Sequence, residues 1–526
     1  MKKELGILVL VIVLAGVAIS YYYGFASIAP SATVTTRSLV THTSSNNVSS
    51  GDWSTYHGDL SRSGFVPDIP PYNSARLNWR SVTLDGDVYA EPLIVGNNVL
   101  IATENDSLYD LDASSGRVIW RTHFGTPVNG SDLPCGDINP SGITGTPVVD
   151  VSTGIVYVVA FLSPPHHELF AVDLSTGSIR SAVLADAPGM NPMVEQQRAA
   201  LALSAGTVYF AYGGLAGDCG SYHGWVVAFE TQGRGQLSKM LSYQVPSVRE
   251  AGIWAPSGPA VDSSGELFVA TGNSGSRGAF DFGNSVIKLS PNLKPLDWFA
   301  PTNWIQLNDG DGDLGSTGPL LLNSTFIFQI GKDGIGYLLS AKKLGGIGGE
   351  LLSGRVCNGA YGGLAYASPY VFVPCTDGIV ALQVDLGSKP SFRILWRGPS
   401  FVPGPPVVAG HAVWTVDVND GLIYAFDISN GQMLFQDHVG KVTRFTSLAI
   451  GKGQVIVSGS RQVLAFSPDT INQQQSSQSY FADVGSALKM KTSHNSWRLT
   501  SSEEQMIELA SKSLTNSGIS RLLSHL

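Results

Sequence analysis

The sequence predicts an all-β chain folded as an eight-bladed β-propeller of four-stranded antiparallel blades. Three observations carry that prediction. Eight repeats of similar pattern follow one another from residue 91, the last repeat stops one strand short, and a strand-like stretch without a partner stands ahead of the first. Composition agrees: charged residues are 14% of the 526 positions, against roughly 25% in ordinary soluble domains, and glycine occurs 60 times. A chain this rich in turns and poor in charge suits many short, mostly buried strands.

Taken in order, Lys2 and Lys3 precede LGILVLVIVLAGVAISYYYGF, which runs from Leu5 to Phe25 without a charged residue. Its length suits a membrane-spanning helix, with Tyr21 to Tyr23 at the outer interface. Small residues in ASIA (26–29) and APSA (29–32) equally suit signal-peptide cleavage. Residues 1–26 are therefore expected to be a transmembrane anchor or a signal peptide. In both cases the remainder is exported, to the cell surface or another extracytoplasmic space, and the N-terminal helix is the contact with the membrane. Residues 27–51 form a Ser/Thr-rich spacer, too polar to fold alone. The propeller is expected over 52–468. Residues 469–526 read as a polar tail in which Ser501 and Glu504 suit the cap of a short helix through MIELASKSL.

The clearest repeat is EPLIVGNNVLIATENDSLYDLDASSGRVIW, Glu91 to Trp120, four short strands divided by Gly, Asn and Asp turns. Further units begin near Thr144, Ala199, Pro256, Ser316, Gly362, Pro403 and Phe445. The eighth ends at VLAFS (463–467) with no fourth strand, whereas SARLNWRSVTL (74–84) carries the tryptophan that ends other units. Adding that N-terminal strand to the last blade closes the ring and removes exposed sheet edges.

A net charge of -9, without a Lys/Arg cluster, argues against nucleic acid as a partner. A monomer is expected. Four cysteines in an exported chain allow three pairings of two disulfides, of which Cys135 with Cys219 and Cys357 with Cys375 is the one expected. In SPPHHELF, His166, His167 and Glu168 are adjacent and face alternate sides, so they make a solvated hairpin loop rather than a metal grip. Glu91 is placed at the channel mouth or as a hydrogen-bonded blade residue. No G-x-S-x-G, H-E-x-x-H, phosphate loop or C-x-x-C-H occurs. NDGDGDLG (308–315) spaces three aspartates like the opening of a calcium loop. Counted from Asp309, however, its sixth position is Leu314 and its twelfth Leu320, and its neighbourhood reads as strand and turn.

In antiparallel blades the loops between strands 2 and 3, and the links from strand 4 to the next strand 1, emerge on one face. Asp218, Asn273 and Lys332 fall in such loops, and Trp254 and Asp313 in such links. These five come from neighbouring blades and are expected to converge.

The strand endings YDLDASSGRVIW, AVDLSTGSIR and AFDISNGQML resemble pyrroloquinoline-quinone (PQQ) type propeller repeats. The entry segment DWSTYHGDLSRSG (52–64) is similar to the start of quinoprotein dehydrogenases. The resemblance covers roughly residues 52–467, and it implies the fold; its members include alcohol dehydrogenases and cofactor-free scaffolds alike. It also implies roles. GIWAPSGPAVDSSGELFVATGNSG would make Trp254 the support of a quinone ring and Asn273 a calcium ligand. DGDLG and GKDGIGYLL would make Asp313 the catalytic base and Lys332 its partner. Asp218 stands, with shifted spacing, where a calcium-binding Glu is expected. Two departures matter: Cys135 stands alone where the dehydrogenases carry adjacent cysteines, and His223 replaces an Arg. The function expected is therefore a ligand-binding or protein-interaction scaffold with its loop face as the binding surface. The alternative is a PQQ- and Ca2+-dependent alcohol or sugar dehydrogenase using Asp313 as base.

Overall fold

The computed structural model describes residues 51–67 and 72–470. The N-terminal apolar segment, most of the spacer and nearly all of the polar tail lie outside the described residues. No helix among the described residues is long and apolar enough to cross a membrane.

Eight small sheets of antiparallel strands follow the order of the repeats. Blade 1 is built from Leu93–Val95, Asn98–Thr103, Ser107–Asp112 and Val118–His123. In blade 8, Leu448–Gly451, Gln454–Ser458 and Val463–Thr470 are completed by Tyr72–Arg80, which pairs antiparallel with Val463–Thr470. The N-terminal strand thus closes the ring. It begins two residues earlier and ends four residues sooner than expected, and its partner runs on to Thr470. Strand extent there follows the pairing, which is broken by irregularities between Tyr72 and Ser74 and between Leu77 and Trp79.

The repeated D-x-S-x-G element has a physical role between blades. Asp112, Asp173 and Asp427 each accept the backbone N–H two residues on, at 3.1, 3.0 and 2.8 Å, and so form the turn before strand 4. The tryptophan at the end of the preceding blade then docks on that turn. Trp79 donates to Ala113 O (2.8 Å), Trp120 to Leu174 O (3.0 Å) and Trp396 to Ile428 O (2.9 Å). Only glycine fits beneath the ring: Gly177 has φ +70°, and a Cβ there would meet Trp120 at 2.6 Å.

The entry segment does something the repeats do not foreshadow. From Gly51 to Val66 it runs inside the ring and touches the inner strands in turn. Trp53 exchanges backbone hydrogen bonds with Ile94 of blade 1, and the carbonyls of Ser54, Leu60, Ser61, Ser63 and Gly64 accept from Val149, Val261, Leu321, Tyr366 and Val408 of blades 2, 4, 5, 6 and 7. Blade 3 is reached by the buried Arg62, which donates to Leu201 O (3.2 Å), and blade 8 by Asp52, 3.8 Å from Lys452 Nζ. The centre of this plug is polar and buried. Glu91 accepts from Trp53 Nε1 (2.6 Å), His57 N–H (2.7 Å) and Ser447 Oγ (2.6 Å). Glu91 is therefore the hydrogen-bonded blade residue, fully buried and away from any mouth. Burial holds the His57 imidazole down to about 3 and pushes Glu91 up to about 8.

Two expectations are corrected. His166, His167 and Glu168 are not in a solvated loop but open the strand His166–Asp173 of blade 2. There His167 is buried against Phe161 and bonded to Asp186 (2.8 Å), because the apolar face of a strand continues to its first residues. NDGDGDLG is not flanked by strand and turn alone: a six-residue α-helix, Trp304–Asp309, leads into it. Both disulfides form as expected, Cys135–Cys219 and Cys357–Cys375. Disulfides of this kind belong to oxidising compartments.

Candidate functional site

A cavity of about 300 Å³ opens on the face made by the 2–3 loops and the interblade links. Asp218, Trp254, Asn273, Asp313 and Lys332 all line it, so the five residues singled out by their loop positions share one site. Arg198, Tyr222, Glu250, Asp311, Tyr361 and Phe445 join them. These six carry no repeat signature. The one signal available was Asp311, which stands in the same glycine-rich stretch as Asp313.

The polar wall is continuous. Asp313, on the link before the inner strand of blade 5, is buried, and its Oδ1 accepts the Asn273 N–H at 2.6 Å. Its Oδ2 lies 2.7 Å from Lys332 Nζ. That approach requires glycine at 272, where a Cβ would stand 2.5 Å from Asp313 Oδ1. Lys332 Nζ also donates to Asp311 Oδ1 (2.7 Å), which accepts in addition from Asn273 Nδ2 (2.9 Å). Burial raises the Asp313 carboxyl above the usual carboxylate range, and the Lys332 ammonium opposes the rise. For Lys332, burial lowers the pKa, but the two aspartates outweigh it and hold the amine protonated, above its ordinary value.

The aromatic wall is Trp254. Lys332 Nζ lies 5.6 Å from its ring centre, and Tyr361 and Phe445 flank it at 6.3 Å each. Arg198, buried, stands 5.8 Å from the Phe445 ring, and burial brings its guanidinium down to about 10. On the opposite side Tyr222 Oη donates to Asp218 Oδ1 (2.6 Å), and the Cys135–Cys219 bridge ties that loop to the link between blades 1 and 2. Asp218, Glu250, Asp311 and Phe445 all have positive φ (52°, 66°, 52° and 63°). Non-glycine residues held this way cost energy, and they concentrate at working sites.

The flat Trp254 wall and the cations Lys332 and Arg198 are the features that could hold a planar, carboxylate-bearing group, and the carboxylates Asp218, Glu250, Asp311 and Asp313 line the same cavity. A divalent-cation site is not prepared in the same way. Asp218 and Asn273 line the cavity, but Asn273 Oδ1 accepts from Asn284 (3.2 Å) and its Nδ2 is given to Asp311. Among the described residues, the one set of three His, Cys, Asp or Glu side chains gathered closely enough to share an ion is Cys357, Cys375 and Asp377, whose cysteines are joined in a disulfide.

Comparison with known proteins agrees with the fold. Residues 64–293 match the family model described as outer membrane protein assembly factor BamB. No curated protein matches the sequence. Among solved structures, the quinohemoprotein alcohol dehydrogenase ADHIIG from Pseudomonas putida HK5 superposes with a TM-score of 0.62 at 15% identity, over 80% of this chain and 81% of that one. A europium-containing methanol dehydrogenase gives 0.60 at 14%, over 80% and 98%. BamB from Moraxella catarrhalis gives 0.51 at 14%, over 75% and 99%. At these identities the likeness is one of fold, and it reaches enzymes and an assembly factor alike. The chain carries PQQ-like repeats and folds as an eight-bladed PQQ-like β-propeller.

Proposed function

We propose that this protein is an extracytoplasmic propeller that binds a small planar anion in its loop-face cavity. The observation that carries the reading is the convergence of Trp254, Lys332 and Asp313 from three different links and loops on one cavity. Ring turns need Asp, Asn and Gly for backbone reasons; they do not need a buried carboxylate paired with a lysine beside a tryptophan face. The expected result is that PQQ, used as a planar tricarboxylate probe, raises the melting temperature of the purified full chain but not that of the Trp254→Ala variant. No shift in the wild type would remove the reading.

The second reading is dehydrogenation of an alcohol or sugar, favoured by the Asp313–Lys332 pair. When bound, PQQ supplies a hydride acceptor. Trp254 would support its ring, Lys332 would hold a developing negative charge, and Asp313, ionised beside the Lys332 ammonium, would take the hydroxyl proton of the substrate. Calcium would fall to Asp218 and Asn273, whose hydrogen bonds would first have to break. Dye-linked oxidation by the full chain loaded with PQQ and Ca2+, lost in Asp313→Asn, would replace the first reading by the second. Quinone binding without turnover would leave the first standing.

A further inference from the structure

Two neighbouring carboxylates at the cavity differ in exposure. Asp313 is buried, whereas the Asp311 side chain is 70% exposed. Yet a single oxygen of Asp311 accepts from two convergent donors of the cavity wall, Lys332 Nζ at 2.7 Å and Asn273 Nδ2 at 2.9 Å. An ammonium and an amide N–H aimed at one oxygen form a recognition element for an anionic oxygen. Asp311 sits between Gly310 and Gly312 with φ 52°, and these two donors hold its carboxylate at the cavity.

We propose that the Asp311 carboxylate is an internal placeholder for the ligand: it fills the position between Lys332 and Asn273 that a carboxylate of the ligand takes, and it swings out to solvent when the ligand enters. The proposal rests on the planar-anion reading above and sharpens it, assigning a carboxylate to the ligand and a place to that carboxylate. Displacement is cheap on the Asp311 side, because that carboxylate is already largely solvated and water takes over its hydrogen bonds when it leaves. Asp313 is not displaced, since it is buried and bonded to the Asn273 backbone as well. The arrangement also filters ligands. A neutral molecule cannot repay the lost Asp311–Lys332 attraction, so it is refused where an anion is admitted.

The test uses benzoate, a planar monocarboxylate, and benzamide, its neutral isostere, titrated calorimetrically into the purified full chain. Asp311→Asn removes the competing charge at an exposed position, so the fold is retained. It is expected to bind benzoate about three- to tenfold more tightly than the wild type, with benzamide remaining much the weaker ligand of both chains. Lys332→Met in the Asp311→Asn background should abolish the gain; if that chain fails to fold, Asn273→Ala should reduce it. Equal benzoate affinity in wild type and Asp311→Asn, absence of benzoate binding to Asp311→Asn, or benzamide binding to Asp311→Asn as tightly as benzoate would each overturn the placeholder. The two proposals fail separately. Benzoate tightening that persists in Asp311→Asn/Trp254→Ala would uphold the placeholder while removing the aromatic wall from ligand binding.

Discussion

Lys332 stands between two carboxylates of unequal cost. Removing its charge leaves Asp313 buried without a counter-ion, whereas removing Asp311 exposes a lysine that water can solvate. Lys332→Met is therefore expected to destabilise the fold by roughly 2 kcal/mol, below the usual cost of breaking a buried pair because the lysine is partly solvated. Asp311→Asn should stay within about 0.5 kcal/mol of the wild type. Thermal melts of the two variants side by side read the difference, and equal losses would contradict the unequal burial. At this scale the sequence exposed Asp313 and Lys332 through the motifs they sit in. Glu250 and Tyr222 gave no such signal, because their places depend on a left-handed backbone at 250 and on the path of a disulfide-bound loop.

At the scale of the element, the closing strand and the inner plug hold the ring by different means. The closing strand was legible because the eighth repeat lacks what the stretch around Trp79 supplies, and edge strands seek partners by a rule that does not depend on sequence detail. Trp79→Ala should cost about 3 kcal/mol, losing both the packing over Gly116 and the bond to Ala113. The exposed Leu77→Ser in the same strand should be nearly silent. Chemical denaturation of both variants checks this, and a similar loss from the two would mean that docking on blade 1 contributes nothing special. The inner plug was not legible as structure. Its residues bond to one blade after another instead of pairing along a single strand, so no period of two or of 3.6 marks them.

For the whole molecule, buried carboxylates set the response to pH. Burial raises Glu91 and Glu195 to about 8, Glu104 to about 7 and Asp106 to about 9, each from an ordinary carboxylate value. Geometry points the same way: among the described residues, Glu104 Oε1 and Glu195 Oε2 are buried without a hydrogen-bond partner, and at Asp106 the Phe161 backbone only partly opposes the effect of burial. The folded chain therefore keeps protons that the unfolded chain releases above about pH 4.5, and stability falls as pH rises from there to about 9. His57 acts oppositely. Held neutral down to about 3, it favours folding less as pH falls below about 6.5, where the unfolded imidazole protonates. Four carboxyls outweigh one imidazole between these limits. Maximum stability is expected on the acid side, near about pH 4–5, and Glu104→Gln with Asp106→Asn should flatten the slope above it. Denaturation midpoints at pH 4.5, 6 and 7.5 decide the matter, and a midpoint rising across that series would contradict it.

The sequence by itself determined the blades, their number, the strand that closes them and the face on which a site would form, and it narrowed the cysteines to three pairings, of which the structure holds the one expected. Those follow from local patterns: alternating strands, Asp and Gly turns, and a tryptophan that recurs at the end of the units. Only the tertiary structure decided that five residues spread from 218 to 332 line one cavity and that Asp311 bridges Lys332 and Asn273. It alone showed that the entry segment fills the channel. These depend on distances between loops of different blades, which the closure of the ring sets and no local pattern encodes.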